Sequence, residues 1–210
     1  MNGRVALHWG RGTLLIRLRR LVTHLWIAGA AAALAGPACA QSEATAKVFV
    51  SQLADTMREL HGRAQGNAAR IRIGCRDVVG RFFNLESMAK AAGENIWDKM
   101  SATQRETYQG AFGDRMVAEC GRQFANYQGE TIKEINIRSL PGGDMLVTTR
   151  FGENEDAKTV GWRLRGGNPS AAIDVVWAGT SAVAKARSDF AAALHGVNGN
   201  VDALIAFIRK

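Results

Sequence analysis

From residue 131 to residue 178, apolar side chains recur at every second position in four runs divided by turn chemistry. No other feature restricts the fold of this 210-residue chain so tightly. The run 131–139 carries Ile135 and Ile137, and Met145–Phe151 alternates Met145, Val147, Thr149 and Phe151. The run 159–165 sets Val160, Trp162 and Leu164 against Gly161, Arg163 and Arg165, and 171–178 places Ile173, Val175 and Trp177 on one face. Pro141-Gly142-Gly143-Asp144, the acidic loop 152–156 and Gly166-Gly167-Asn168-Pro169 separate them. Strands joined by connections this short pair with their sequence neighbours. The pattern therefore predicts an antiparallel meander of four or more strands with one apolar face, which needs a cover.

Helical periodicity on both sides supplies that cover. Before the strands, Phe49, Leu53, Met57 and Leu60 mark a helix over 45–60. Ile71, Cys75, Val78 and Phe82 mark one over 68–83, and Met88 and Trp97 one over 85–97. Ser101 and Gln104 form a capping-box pair, after which Tyr108, Phe112, Met116, Cys120 and Phe124 recur every fourth residue as far as Tyr127. Steps of four drift slowly round a helix, so this stripe touches several neighbours. After the strands, Val183, Arg187, Phe190 and Leu194 mark a closing helix, and Val201, Leu204, Ile205 and Ile208 another. The expected class is α+β: a helical part over 41–128, a sheet over 130–178 and closing helices over 181–209, together one domain.

The formal charge of +8 suggests a nucleic-acid partner until its location is considered. Residues 1–40 contain Arg4, Arg11, Arg17, Arg19 and Arg20 and no acid. An Ala-rich apolar run from 21 to 35 follows, then Pro37 and the triplet Ala38-Cys39-Ala40. That is the order of a secretory signal peptide cleaved after Ala40, leaving a mature chain from Gln41. The apolar run is shorter than the ~20 residues an uncleaved membrane anchor needs. Without the leader 22 basic side chains face 19 acidic ones, and no nucleic-acid partner is expected. The predicted location is the periplasm.

Chemistry-bearing motifs are scarce. With 47% hydrophobic and 22% charged residues the chain is neither disordered nor fibrous, and three cysteines do not make a disulfide scaffold. No G-x-S-x-G, H-E-x-x-H, Walker or G-x-G-x-x-G pattern occurs, and His61 and His195 have no cysteine at ligand spacing. No catalytic residue, metal or cofactor is expected. Cys75 and Cys120 fit a bridge or two buried thiols equally well. Asp174, inside an apolar strand, reads either as a general base in a sheet-lined pocket or as an outward residue paired with Arg163 or Arg187. The Met, Phe and Trp side chains fit an ordinary core, or a sheet and helices that leave a cavity between them.

One further pattern bears on that choice. Asp174-Val175-Val176-Trp177-Ala178-Gly179-Thr180-Ser181 is followed by Arg187-Ser188-Asp189-Phe190 and by Gly199-Asn200-Val201-Asp202-Ala203-Leu204-Ile205. This order resembles the closing signature of the toluene-tolerance family, the periplasmic phospholipid-binding MlaC-type proteins. There a strand with Asp, Gly and Ser leads into a helix with R-x-x-F and then a G-x-D-x-L-I-like stretch. Gly93 and Trp97 resemble the family's L-G-x-x-W-like element, and Ser101-Ala102-Thr103-Gln104-Arg105 its S-P-E-Q-R turn into a helix reaching Phe112. The sequence departs from the family pattern at Ala92, Trp177 and Ala178.

The resemblance implies a cone-like fold in which a curved sheet and helices enclose lipid tails while the headgroup faces solvent. It implies a non-enzymatic carrier of phospholipid or a related membrane lipid, moving between an inner-membrane ABC transporter complex and an outer-membrane lipid complex. The stripes and strand faces then nominate Trp97, Phe112, Met116, Phe124, Val147, Phe151, Trp162, Leu164, Val175 and Trp177 as cavity residues. The rival reading is a cone-fold enzyme acting on a small hydrophobic substrate with Asp174 as base. An adaptor that docks on a transporter without holding lipid is a third.

Overall fold

Every α-helix after the first begins where a short polar side chain takes the place of a missing backbone partner. In the computed structural model, which describes residues 37–154, 157–165 and 171–210, α1 spans Pro37–Ala64 and α2 Ala68–Phe82, the latter capped by Asn67, which accepts from the Arg70 N–H. Asn84 caps α3 (Leu85–Ala92), and Ser101 with Gln104 closes the expected reciprocal capping box on α4 (Ala102–Phe124). Ser181 caps α5 (Ala182–Gly196) and Asn200 caps α6 (Val201–Ile208). The leader expected over residues 1–40 lies outside the described residues, apart from the backbone of Pro37–Ala40 in α1.

The helix expected over 85–97 is shorter than its periodicity suggests. It stops at Ala92, with the Gly93 N–H donating to the Ala89 carbonyl, and Trp97–Lys99 forms a separate 3-10 turn. Tyr108 of α4 packs against this end, its hydroxyl donating to the Ala89 carbonyl at 3.1 Å. A Cβ on residue 93 would lie 2.8 Å from that hydroxyl, so only glycine lets the two segments meet.

The strands are β1 (Ile132–Ser139), β2 (Met145–Phe151), β3 (Lys158–Leu164), β4 (Ala172–Trp177) and the two-residue β5 (Thr180–Ser181), antiparallel neighbours in chain order. The meander is as the alternation predicts, with one short strand added. Two residues fall out of the alternation. Ile135 is skipped in the β1–β2 register and stands half exposed. Ile173 is skipped between the pairs Arg163–Asp174 and Leu164–Ala172. Such bulges shift the face of every following side chain by one, so Ala172, not Ile173, shares a face with Val175 and Trp177.

Two hydrophobic clusters result. One joins the inner face of the sheet to α1, α2 and the C-terminal half of α4, with Phe49, Leu53, Val78, Phe82, Val147 and Leu164 among its members. The other fills the bundle of α3, α4, α5 and α6 around Met88, Tyr108, Phe112, Phe190 and Leu204. Phe83, Leu85 and Met116 pack against both. Cys75 of α2 and Cys120 of α4 are joined as a disulfide, which decides between the two states their spacing allowed.

Candidate functional site

The stripe on α4 drifts as its four-residue steps require, and that drift opens a space. Phe112 faces the bundle, Met116 the seam, and Cys120 and Phe124 the sheet side. Between α1, α2, the end of α4 and the inner face of β2–β4 lies a cavity of about 1010 Å³. Its helical wall is Leu53, Met57, Val78, Val79, Met116, Cys120 and Phe124. Phe151, Val160, Trp162, Val175 and Trp177 form its sheet wall, and Phe83 and Tyr127 complete the apolar lining.

Aromatic packing fixes the sheet wall. The Trp162 ring stands 6.0 Å from Phe49 and 6.1 Å from Phe83, and Tyr127 meets Phe151 at 6.4 Å. The polar atom Trp162 brings inside is met: its indole N–H donates to the Thr149 hydroxyl at 2.8 Å, and that hydroxyl donates to the Val160 carbonyl. Thr149 is fully buried, so this bond keeps the apolar wall free of an orphaned donor.

Polar side chains line the solvent side: Glu119, Gln123, Glu130, Glu153, Lys158 and Lys185, with Asn126, Asn154 and Thr180. Burial alone would raise the Glu119 carboxyl. Hydrogen bonds from Gln123 and Arg122, with the charges of Arg122 and Arg115, outweigh it and hold Glu119 below the ordinary carboxylate range. The hydrogen bond and charge of Lys133 lower Glu153. Burial, then the Glu130 carboxylate, push the Tyr127 phenol up against the opposing charge of Arg58. No group of metal-ligating side chains occurs among the described residues, and none of their helices is long and apolar enough to cross a membrane.

Of the ten nominated residues, Met116, Phe124, Phe151, Trp162, Val175 and Trp177 meet at the cavity. Four do not. Trp97 and Phe112 belong to the bundle, where Trp97 packs on Tyr108 and under Arg105 and Phe112 packs on Phe190. Val147 and Leu164 are on the inner face of the sheet but wholly buried in its core. The alternation gave their face correctly, but it carries no information about how far along a strand the helical cover extends. Leu53, Met57 and Val78 were visible as helical stripes without being nominated. Lys158 lies two residues before Val160 and escaped because the strand begins one residue earlier than the pattern suggested.

Asp174 is not part of the cavity. On the face of β4 opposite Val175 and Trp177, its carboxylate accepts from the Ser181 hydroxyl at 2.5 Å and from the Val175 and Val183 N–H groups at 2.8 and 3.1 Å. It therefore holds the first turn of α5 to the sheet, where a carboxylate also suits the helix dipole. Neither expected arginine is its partner, since Arg163 pairs with Asp144 and Arg187 with Glu94.

A mixed helix-and-sheet fold around an open-mouthed, aromatic-lined cavity with a polar rim is the architecture of a protein that holds a bulky apolar ligand. The sequence gives that class a family. The model for the MlaC protein matches residues 47–210, and the chain belongs to the MlaC family. Among solved structures, the phospholipid-binding protein from Ralstonia solanacearum, determined in complex with a phospholipid, has the same fold. It aligns with a TM-score of 0.65 and 18% identity over 80% of this chain and 94% of that chain. No curated protein matches the sequence.

Proposed function

We propose that this protein is a periplasmic lipid carrier: the mature chain from Gln41 forms one domain that encloses the acyl chains of a phospholipid and exchanges them with membrane complexes at either side of the periplasm. The observation that carries the reading is the cavity. At about 1010 Å³ it lies at the top of the range for small-molecule sites (about 300–1,000 Å³), and its deep walls are aliphatic and aromatic. Hiding ~30 methylenes at ~0.8 kcal/mol each amounts to about 25 kcal/mol, a barrier that prevents a diacyl lipid from crossing water unaided. A protein with such a chamber removes that barrier without any catalytic group. Membership of the MlaC family and the phospholipid held by the Ralstonia protein support the ligand class.

The enzyme reading has lost its residue, because Asp174 fastens a helix instead of facing the cavity. The adaptor reading needs a filled interior, and the interior is open. The test is organic extraction and mass spectrometry of protein exported by cells. Phospholipid near one molecule per chain is expected. Protein that emerges empty, and stays empty after incubation with phospholipid vesicles, overturns the carrier reading.

A further inference from the structure

Among the inward-facing positions of β2, β3 and β4, Lys158 is the one charged side chain. Its register partner is Phe151, and Val160, Trp162, Val175 and Trp177 continue the same face. Its ammonium stands 5.9 Å from the centre of the Trp177 ring. The other charged groups on the rim have partners of their own. Lys185 is 3.0 Å from both Asp189 oxygens, Glu119 is bonded to Arg122 and Gln123, Glu153 to Lys133, and Glu130 accepts from the Gln128 N–H. No carboxylate forms an ion pair with Lys158 among the described residues.

Trp177 is half-buried and pairs with the exposed Thr180, so it stands at the level where the lining passes from apolar to polar, and a lysine beside such a ring keeps its charge in water. A ligand whose tails fill the chamber must keep its first polar atoms at that level, because burying them unpaired is costly. We propose that Lys158 binds the phosphodiester of a glycerophospholipid held in this chamber, and so separates phosphate-bearing lipids from neutral lipids with the same tails. The inference rests on the carrier reading. A compact ammonium suits a phosphate oxygen as a point charge, without the paired geometry an arginine imposes.

The experiment uses the delipidated mature protein and two ligands with identical tails, dioleoylphosphatidylethanolamine and dioleoylglycerol, each delivered from cyclodextrin. Lys158→Gln is expected to bind the phospholipid about fivefold to tenfold more weakly, with dioleoylglycerol unchanged. Lys158→Arg restores most of the phospholipid affinity, and Lys90→Gln on α3, outside the cavity lining, changes neither. Added salt weakens phospholipid binding by the wild type more than by Lys158→Gln. Equal losses for both ligands, or no loss for either, overturn the proposal while leaving the carrier reading in place. Millimolar inorganic phosphate that binds the empty wild type but not Lys158→Gln, and displaces the phospholipid, assigns the site to free phosphate and overturns the lipid assignment. A wild type that binds neither lipid overturns the carrier reading itself.

Discussion

Cutting the bond between Cys75 and Cys120 frees a loop of 45 residues in the unfolded chain, and the cost of that freedom follows from loop length. The chain-entropy relation gives about 4 kcal/mol at 25 °C for a loop of this size. In a domain of about 170 residues each kcal/mol moves the melting temperature by about 2–4 °C, so the reduced protein should melt about 8–16 °C lower. The reduced wild type isolates this effect, because both sulfur atoms stay in place and no volume is removed from the core. Cys75 is fully buried, so reduction is done in denaturant before refolding with reductant present. Lipid must be removed first, since a ligand bound only to the folded state adds stability of its own. The assay is calorimetric melting of the oxidised and reduced proteins and of Cys75→Ala/Cys120→Ala, with thiol titration of the unfolded chain. In a mature chain from Gln41 these are the only cysteines, so the oxidised protein should titrate no thiol. Two thiols in the oxidised protein would refute the cross-link. Melting temperatures within about 2 °C of each other would refute its stabilising role.

Three other perturbations have effects of known sign. Thr149→Val keeps the shape but leaves the buried Trp162 N–H without its acceptor, an expected loss of about 1–3 kcal/mol in denaturant unfolding; a variant as stable as the wild type would show that the bond contributes nothing. Ala178 and Gly179 form the two-residue β4–β5 turn with φ of 48° and 78°, values that strain alanine, so Ala178→Asn should raise stability by about 0.5–1 kcal/mol, and a fall would contradict the turn geometry. Glu119 is held below the ordinary carboxylate range in the folded protein, so its contribution is present above about pH 4.3 and lost as pH falls through the lowered folded value. Urea midpoints of wild type and Glu119→Gln should therefore converge in acid, and parallel curves would count against the interaction.

Most of the fold was legible because its determinants are local. The Ser101–Gln104 box, the alternation of Val160, Trp162 and Leu164, and the Pro141–Gly143 turn each act within a few residues, while the Gly166–Pro169 turn lies outside the described residues. What escaped depended on distant neighbours. Gly93 is tied to Tyr108, fifteen residues on, whose hydroxyl leaves no room for a Cβ there. The bulge at Ile173 appears only when β4 is laid against β3. The site was half legible for the same reason. Face follows from periodicity, so Phe151, Trp162, Val175 and Trp177 were placed on the side of the sheet where the cavity lies. Whether a residue on that face meets a helix, as Val147 and Leu164 do, or open space depends on where the covering elements stop.

The seam residue Met116 shows how the two halves of the fold are tied together. Because α4 runs unbroken from Tyr108 in the bundle to Phe124 at the chamber, one rigid rod serves as wall for the ligand and as spine for the opposite half. A group that packs on the chamber face of α4 therefore touches the same helix that carries Tyr108 and Phe112 into the bundle. The two halves share one structural member, and a substitution at Met116 bears on chamber and bundle together.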